Sequence, residues 1–155
     1  MERKKRSEIS LIQDKIWELC KKIVRFRDGS KCYTCDATGL SGTNWHTGHL
    51  IPDSVSGAYL RYDLRNLRSQ CYRCNINLGG NGAEFYRRVV IQMGQEWVDT
   101  LFVDKQCSIK AIDHYRMVYE VYKRIAEQIP NVDRKLLYSP CETLIESFPQ
   151  DSACE

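Results

Sequence analysis

Two short cysteine pairs constrain this chain more than anything else in it. Cys32-Tyr33-Thr34-Cys35 and Cys71-Tyr72-Arg73-Cys74 stand 35 residues apart. A CxxC turn points two thiolates at one tetrahedral ion, and two such turns complete a four-cysteine site with no open position. That is the chemistry of a structural Zn2+ held by Cys32, Cys35, Cys71 and Cys74. It clips a glycine-punctuated loop that has little apolar core of its own. Redox use of a CxxC needs a βαβ setting, and the surrounding pattern lacks one. The other four cysteines, Cys20, Cys107, Cys141 and Cys154, share no spacing. Long helical patterns around them argue for reduced thiols rather than a disulfide framework.

On either side of the loop the apolar residues keep helical time. Ile9, Ile12, Ile16, Leu19, Cys20 and Ile23, with Trp17 and Val24 beside them, predict an amphipathic helix over about 7–27, ended by Asp28-Gly29-Ser30. From Lys31 to Asn81 the pattern breaks into turns and short strands. Phe85, Val89 and Met93 mark a helix from near Gly82 to near Gly94, continued briefly by Trp97, Val98, Leu101 and Phe102. Ile109, Ile112, Tyr115, Val118, Tyr119, Tyr122 and Ile125 form another stripe, with Ser108 as its N-cap and Pro130 beyond its end. Its tyrosines read as packing rather than base stacking. After Pro130 no period is sustained, which predicts a partly flexible tail. The expected organisation is a first helix (1–30), a zinc-clipped core (31–105), a C-terminal helix (106–130) and an acidic tail (131–155).

Charge narrows the class of partner. The net charge is only +3, but it is unevenly spread. Gly57 to Arg88 carries Arg61, Arg65, Arg68, Arg73, Arg87 and Arg88 against Asp63 and Glu84, a local balance of +4. Residues 131–155 balance at −3. The arginine forks suit phosphate, so these six are candidate DNA contacts that position the duplex without reading its sequence. No apolar run is long enough to span a bilayer, and the basic start leads into a charged helix rather than a signal-peptide core. We therefore expect no membrane association and a cytoplasmic location, in the host cell if the chain is phage-encoded.

Two of the three histidines fall inside the clipped loop, in Trp45-His46-Thr47-Gly48-His49-Leu50-Ile51-Pro52. Asn66 follows His49 by 17 residues, and Asn75, directly after Cys74, follows Asn66 by 9. This order of His49, Asn66 and Asn75 resembles HNH nucleases of the ββα-metal (His-Me finger) superfamily. Trp45 to His49, Cys71 to Asn75, Gly80-Asn81, Tyr86-Arg87 and Gly94-Gln95-Glu96 together resemble the phage Rap/NinG recombination endonucleases. The two CxxC pairs also look like those of phage endonuclease VII. The likeness covers about residues 25–125 and leaves out the first helix and the acidic tail.

The resemblance implies an α+β fold, with a ββα-metal core stapled by zinc and flanked by helices. It implies a metal-dependent DNA endonuclease that cuts branched recombination intermediates such as Holliday junctions or D-loops. His49 is the expected base that activates water, since imidazole titrates near neutral pH. Asn75 offers a neutral oxygen to a catalytic Mg2+ or Mn2+, and Asn66 braces the loop carrying His49. Many superfamily members place a metal-binding Asp or His just before the base, where this chain has Gly48. His46 is the expected replacement if a bulge at Gly48 turns it toward His49, with Asp53 and Asp63 as fallback ligands. His114, alone on the C-terminal helix, reads as structural. Symmetric cutting of a junction needs two active sites, hence an expected homodimer. Two rival readings are a broad or site-specific nicking nuclease and a non-catalytic zinc module that binds DNA or a partner protein.

Overall fold

The computed structural model describes residues 6–107 and 111–148. The first apolar stripe forms α1 (Glu8–Asp28). Ser7 caps it, its Oγ accepting from the Ser10 amide, and Gly29 ends it at φ 70°, a left-handed value that favours glycine. The buried face of α1, Ile16, Cys20, Ile23 and Val24, packs along α5 (Ala111–Gln128) through Tyr115, Val118, Tyr122 and Ile125. The expected N-cap Ser108, and Ile109 of the same stripe, lie outside the described residues.

The loop between the cysteine pairs supplies a single antiparallel sheet. β1 (His46–His49) pairs with β2 (Leu67–Gln70) in the register His46 to Gln70, Gly48 to Arg68 and His49 to Leu67. Between them run α2 (Asp53–Leu60), bent at Gly57 where φ is 67°, and a 3-10 turn, Leu64–Asn66. After β2 come a π-helical turn, Arg73–Asn77, and then α3 (Gly82–Met93) and α4 (Gln95–Asp104). α3 and α4 close a second apolar cluster of Leu50, Ile51, Leu60, Phe85, Val89, Val98 and Leu101. Among the described residues the architecture is α+β: mostly helical, with one two-stranded sheet.

The end of α1 ties these parts together. The buried Arg27 guanidinium donates to the carbonyls of Leu64 (2.7 Å), Leu137 (3.0 Å) and Leu67. Asp28 pairs with Arg27 and accepts from the Ser69 amide at 2.8 Å. Each of these buried charges is matched by a partner that offsets its desolvation.

The stretch after Pro130 differs from the flexible tail expected of it. Residues 131–148 hold a 3-10 turn, Leu136–Tyr138, and α6 (Cys141–Ser147). Val132, Leu137, Cys141, Leu144 and Phe148 are buried in the α1–α5 core. Isolated apolar residues here gain their burial from tertiary contacts, which no local period reveals. The remainder of the expected tail, with Cys154, lies outside the described residues. Among the described residues no helix is long and apolar enough to cross a membrane.

Candidate metal centre and active site

The four paired cysteines converge. Sγ atoms of Cys32, Cys35, Cys71 and Cys74 all lie within 4.8 Å of one another, with Cys35 and Cys71 3.7 Å apart. A tetrahedral zinc with Zn–S bonds of about 2.3 Å has sulfur–sulfur edges of about 3.8 Å, so the cage fits that ion. The turns are shaped for it. Cys32 N donates to Ala37 O, Asp36 closes the first knuckle at φ 63°, and Cys74 N donates to Cys71 Sγ at 3.5 Å. Burial opposes ionisation of Cys32, but N–H groups of Cys71 and Thr34 and the Thr34 hydroxyl outweigh it, and the thiol falls to about 6. Burial and the neighbouring sulfurs push Cys35 up to about 12. Four cysteine sulfurs this close could share one cation as thiolates, so the group is a candidate structural metal site.

The second knuckle also opens the 73–77 turn, and this brings Asn75 to the sheet. β1 is regular, with no bulge at Gly48, so His46 and Gly48 face one side and Thr47 and His49 the other. On the first side, His46 Nε2 lies 2.9 Å from Thr43 O. A carbonyl only accepts, so Nε2 carries the proton and Nδ1 accepts from Asn75 Nδ2 at 3.2 Å. Both His46 nitrogens are therefore engaged with protein. The bulge expected to turn His46 toward His49 is not formed, and His46 faces Thr43 and Asn75 instead. Asn75 Oδ1 then points at Gly48, 2.9 Å from where a Cβ would stand. Gln70 Oε1 is 1.8 Å from the same point. Gln70 is fully buried, and its Nε2 donates to Gly80 O (2.8 Å) and Thr34 Oγ1 (3.0 Å) while Oε1 has no partner.

On the other side, His49 stacks on Trp17 of α1, ring centroids 5.5 Å apart and planes 7° from parallel. Its Nε2 lies 3.0 Å from Arg61 O, so in the neutral ring Nε2 donates and Nδ1 keeps its lone pair. Burial lowers the His49 pKa, against the opposing pull of the Arg61 carbonyl and Asp53. The ring borders a cleft of about 340 Å³ shared with Gln13, Asp14, Trp17, Asp53, Arg61 and Tyr62. Asn66 is wholly buried below it. Its Oδ1 accepts from Ile51 N (2.7 Å), and its Nδ2 donates to Ile51 O (3.0 Å) and Leu60 O (3.3 Å). Such an amide braces the segment after β1 and cannot touch a substrate.

Other expected residues fall elsewhere. Asp63 is buried against Arg65 and caps the 64–66 turn, so it is not a metal ligand. Asp53 pairs with Arg61 at 2.8 Å on the His49 side. Two of the six arginines are corrected as DNA contacts because they are inside the molecule. Arg65 bonds Asp63 and Asp104, and Arg68 is fully buried between the rings of Tyr33 and Tyr138. Burial and the charge of Arg27 bring Arg68 down to about 10. Arg87 and Arg88 are held by Glu84, and Arg88 also by Asp36. Arg73 is exposed and has no carboxylate partner among the described residues. Sequence reasoning passed over two residues of the site. Trp17 was legible only as part of a helical stripe, and Gln70 carried no signal beyond standing opposite His46.

The chain resembles known proteins of one kind. It is 26% identical to "Protein ninG" of Escherichia phage 933W over 109 residues, 70% of this chain and 53% of that protein. It is 30% identical to "Protein ninG" of Escherichia phage lambda over 79 residues, 50% of this chain and 37% of that protein. The chain thus spans about half the length of the first of these relatives and less of the second. No solved structure gives a significant match. Neither the family description nor these names carries Rap, endonuclease VII or an HNH nuclease, so the wider assignment to those families is corrected to NinG alone. With the family model for the bacteriophage lambda NinG protein matching residues 2–131, the chain belongs to the NinG family.

Proposed function

We propose that the chain is a metal-dependent DNA endonuclease that hydrolyses phosphodiester bonds, with branched DNA such as a Holliday junction or D-loop as its substrate. One observation carries the reading. A half-buried histidine is fixed by a carbonyl at Nε2 and a stacked indole, which in the neutral ring leaves Nδ1 its lone pair, and it borders a cleft. That is the arrangement a general base for water requires.

In this reading β1, β2 and the 73–77 turn work as a ββα-metal unit. His49 Nδ1 takes the proton from water, and Trp17 and Arg61 O hold the ring in the tautomer that can do so. Asn75 would hold Mg2+ or Mn2+, which would supply charge neutralisation at the phosphate and at the departing oxygen. Arg73, with Arg61 and Arg87 competing against their own carboxylates, grips the flanking phosphates. Zn2+ at the four cysteines keeps the second knuckle, and hence Asn75, in place. Two chains acting as a homodimer would cut a junction symmetrically, and sedimentation with and without junction DNA checks this.

The test is cleavage of end-labelled four-way junction, flap and linear duplex at matched concentration, with Mg2+ or Mn2+ and with excess EDTA. The reading expects metal-dependent cutting that favours the branched substrates, whereas equal cutting of all three would give a general nicking nuclease. A second reading, a zinc module that binds DNA without cutting, is favoured by the state of the carboxylates beside His49: Asp14 and Asp53, which line its cleft, are paired with Arg6 and Arg61. Retained binding with no cutting of any substrate would select it.

A further inference from the structure

Gly48 looks like a gap in the candidate site, but its missing side chain makes room for something. A Cβ there would overlap Gln70 Oε1 at 1.8 Å and crowd Asn75 Oδ1 at 2.9 Å. Only glycine lets both amide oxygens reach this point. Their orientation is fixed chemically. Gly80 O can only accept, so Gln70 must turn its nitrogen there and its oxygen toward Gly48. Thr43 O can only accept, so His46 presents a lone pair to Asn75 Nδ2, which sends Asn75 Oδ1 the same way. Two relays therefore aim two neutral oxygens at one spot. One of them, on a side chain with no exposed surface, has no hydrogen-bond donor. A buried acceptor left bare is costly, and a second amide oxygen brought to the same point makes that spot suited to a positive centre.

We propose that Gln70 Oε1 and Asn75 Oδ1 are the protein ligands of a hard divalent cation, with His46 as the positioning residue for Asn75. This deepens the nuclease reading and rests on it for the cation's use. Asn75 is half-exposed and gives the cation its way in from solvent. Neutral ligands make the site weak by itself, and water and substrate phosphate oxygens complete the shell.

The experiment is a Mn2+ titration of the zinc-loaded full chain followed by electron paramagnetic resonance, which sees free Mn2+ directly. It is run without DNA and with an uncleavable phosphorothioate junction. Gln70→Ala is expected to weaken Mn2+ binding about tenfold or more, and Gln70→Glu or Asn75→Asp, each supplying a carboxylate, to tighten it. Zinc content and circular dichroism identify any variant that has failed to fold, and Asn75→Asp, at a half-exposed position, keeps the test open if Gln70→Glu does not. Mn2+ affinity unchanged across the folded variants, or no Mn2+ bound by wild type under either condition, overturns the proposal. Wild type that cuts DNA while Gln70→Ala binds Mn2+ normally overturns this ligand set but leaves the nuclease reading standing. Wild type that holds Mn2+ through Gln70 and cuts nothing does the reverse.

Discussion

His49 carries its chemistry in its surroundings. The Trp17 ring on one face and the Arg61 carbonyl at Nε2 leave Nδ1 as the one basic atom, and burial lowers its pKa. A base must be neutral to act, so cleavage should fall on the acid side only below the ordinary histidine value of about 6.5. Trp17→Ala lets water onto the ring. The acid limb should then move up toward that value while the cleavage rate drops, and a rate profile between pH 5 and 8 reads both. A limb that stays put would show that the indole does not set the ring's environment. The same shift bears on stability. The unfolded chain takes up protons at His49 and His114 near the ordinary value, and the folded chain, which desolvates both, only lower. Stability should therefore decline as pH falls from the unfolded value toward the folded ones, which thermal melts across that window would show.

At the scale of elements, the buried arginines matter most. Arg65 spans Asp63 and Asp104, and removing it strands a fully buried carboxylate. Arg65→Ala should cost about 3–5 kcal/mol in urea unfolding, a loss unlike that of an exposed DNA contact. Arg73→Ala should leave stability unchanged and weaken DNA binding with a shallower salt dependence. From sequence alone these arginines look alike, because burial is decided by the register of β2 and by tyrosines from distant segments, Tyr33 and Tyr138. The cysteine knuckles and α1, α3 and α5 were legible because spacing is local: cysteines with two residues between them, or an apolar residue each turn. α6 was not legible, since Cys141, Leu144 and Phe148 are too few to make a period and become core only against α1 and α5. Leu144→Ala should therefore destabilise by about 2–5 kcal/mol, which urea unfolding would reveal; a neutral result would return this segment to the surface.

The whole molecule couples its parts through the loop between the knuckles. The α1–α5 core holds the His49 face through Trp17, and the four cysteines hold the Asn75 face through the 73–77 turn. Stripping zinc should free the loop, exposing residues 36–70 to limited proteolysis while much of the helical circular dichroism survives. If Gln70 and Asn75 are the cation's ligands as proposed, such protein should bind Mn2+ poorly even with both side chains present. The central claim is that His49 is the base of a metal-dependent nuclease, and one comparison tests it most directly. Single-turnover cleavage of a labelled four-way junction in Mg2+ or Mn2+ would be measured for zinc-loaded wild type and His49→Ala, with junction affinity measured on the same samples. The account predicts metal-dependent cutting by wild type and a loss of at least about 100-fold in the variant with affinity kept. Equal cutting by both proteins would contradict it.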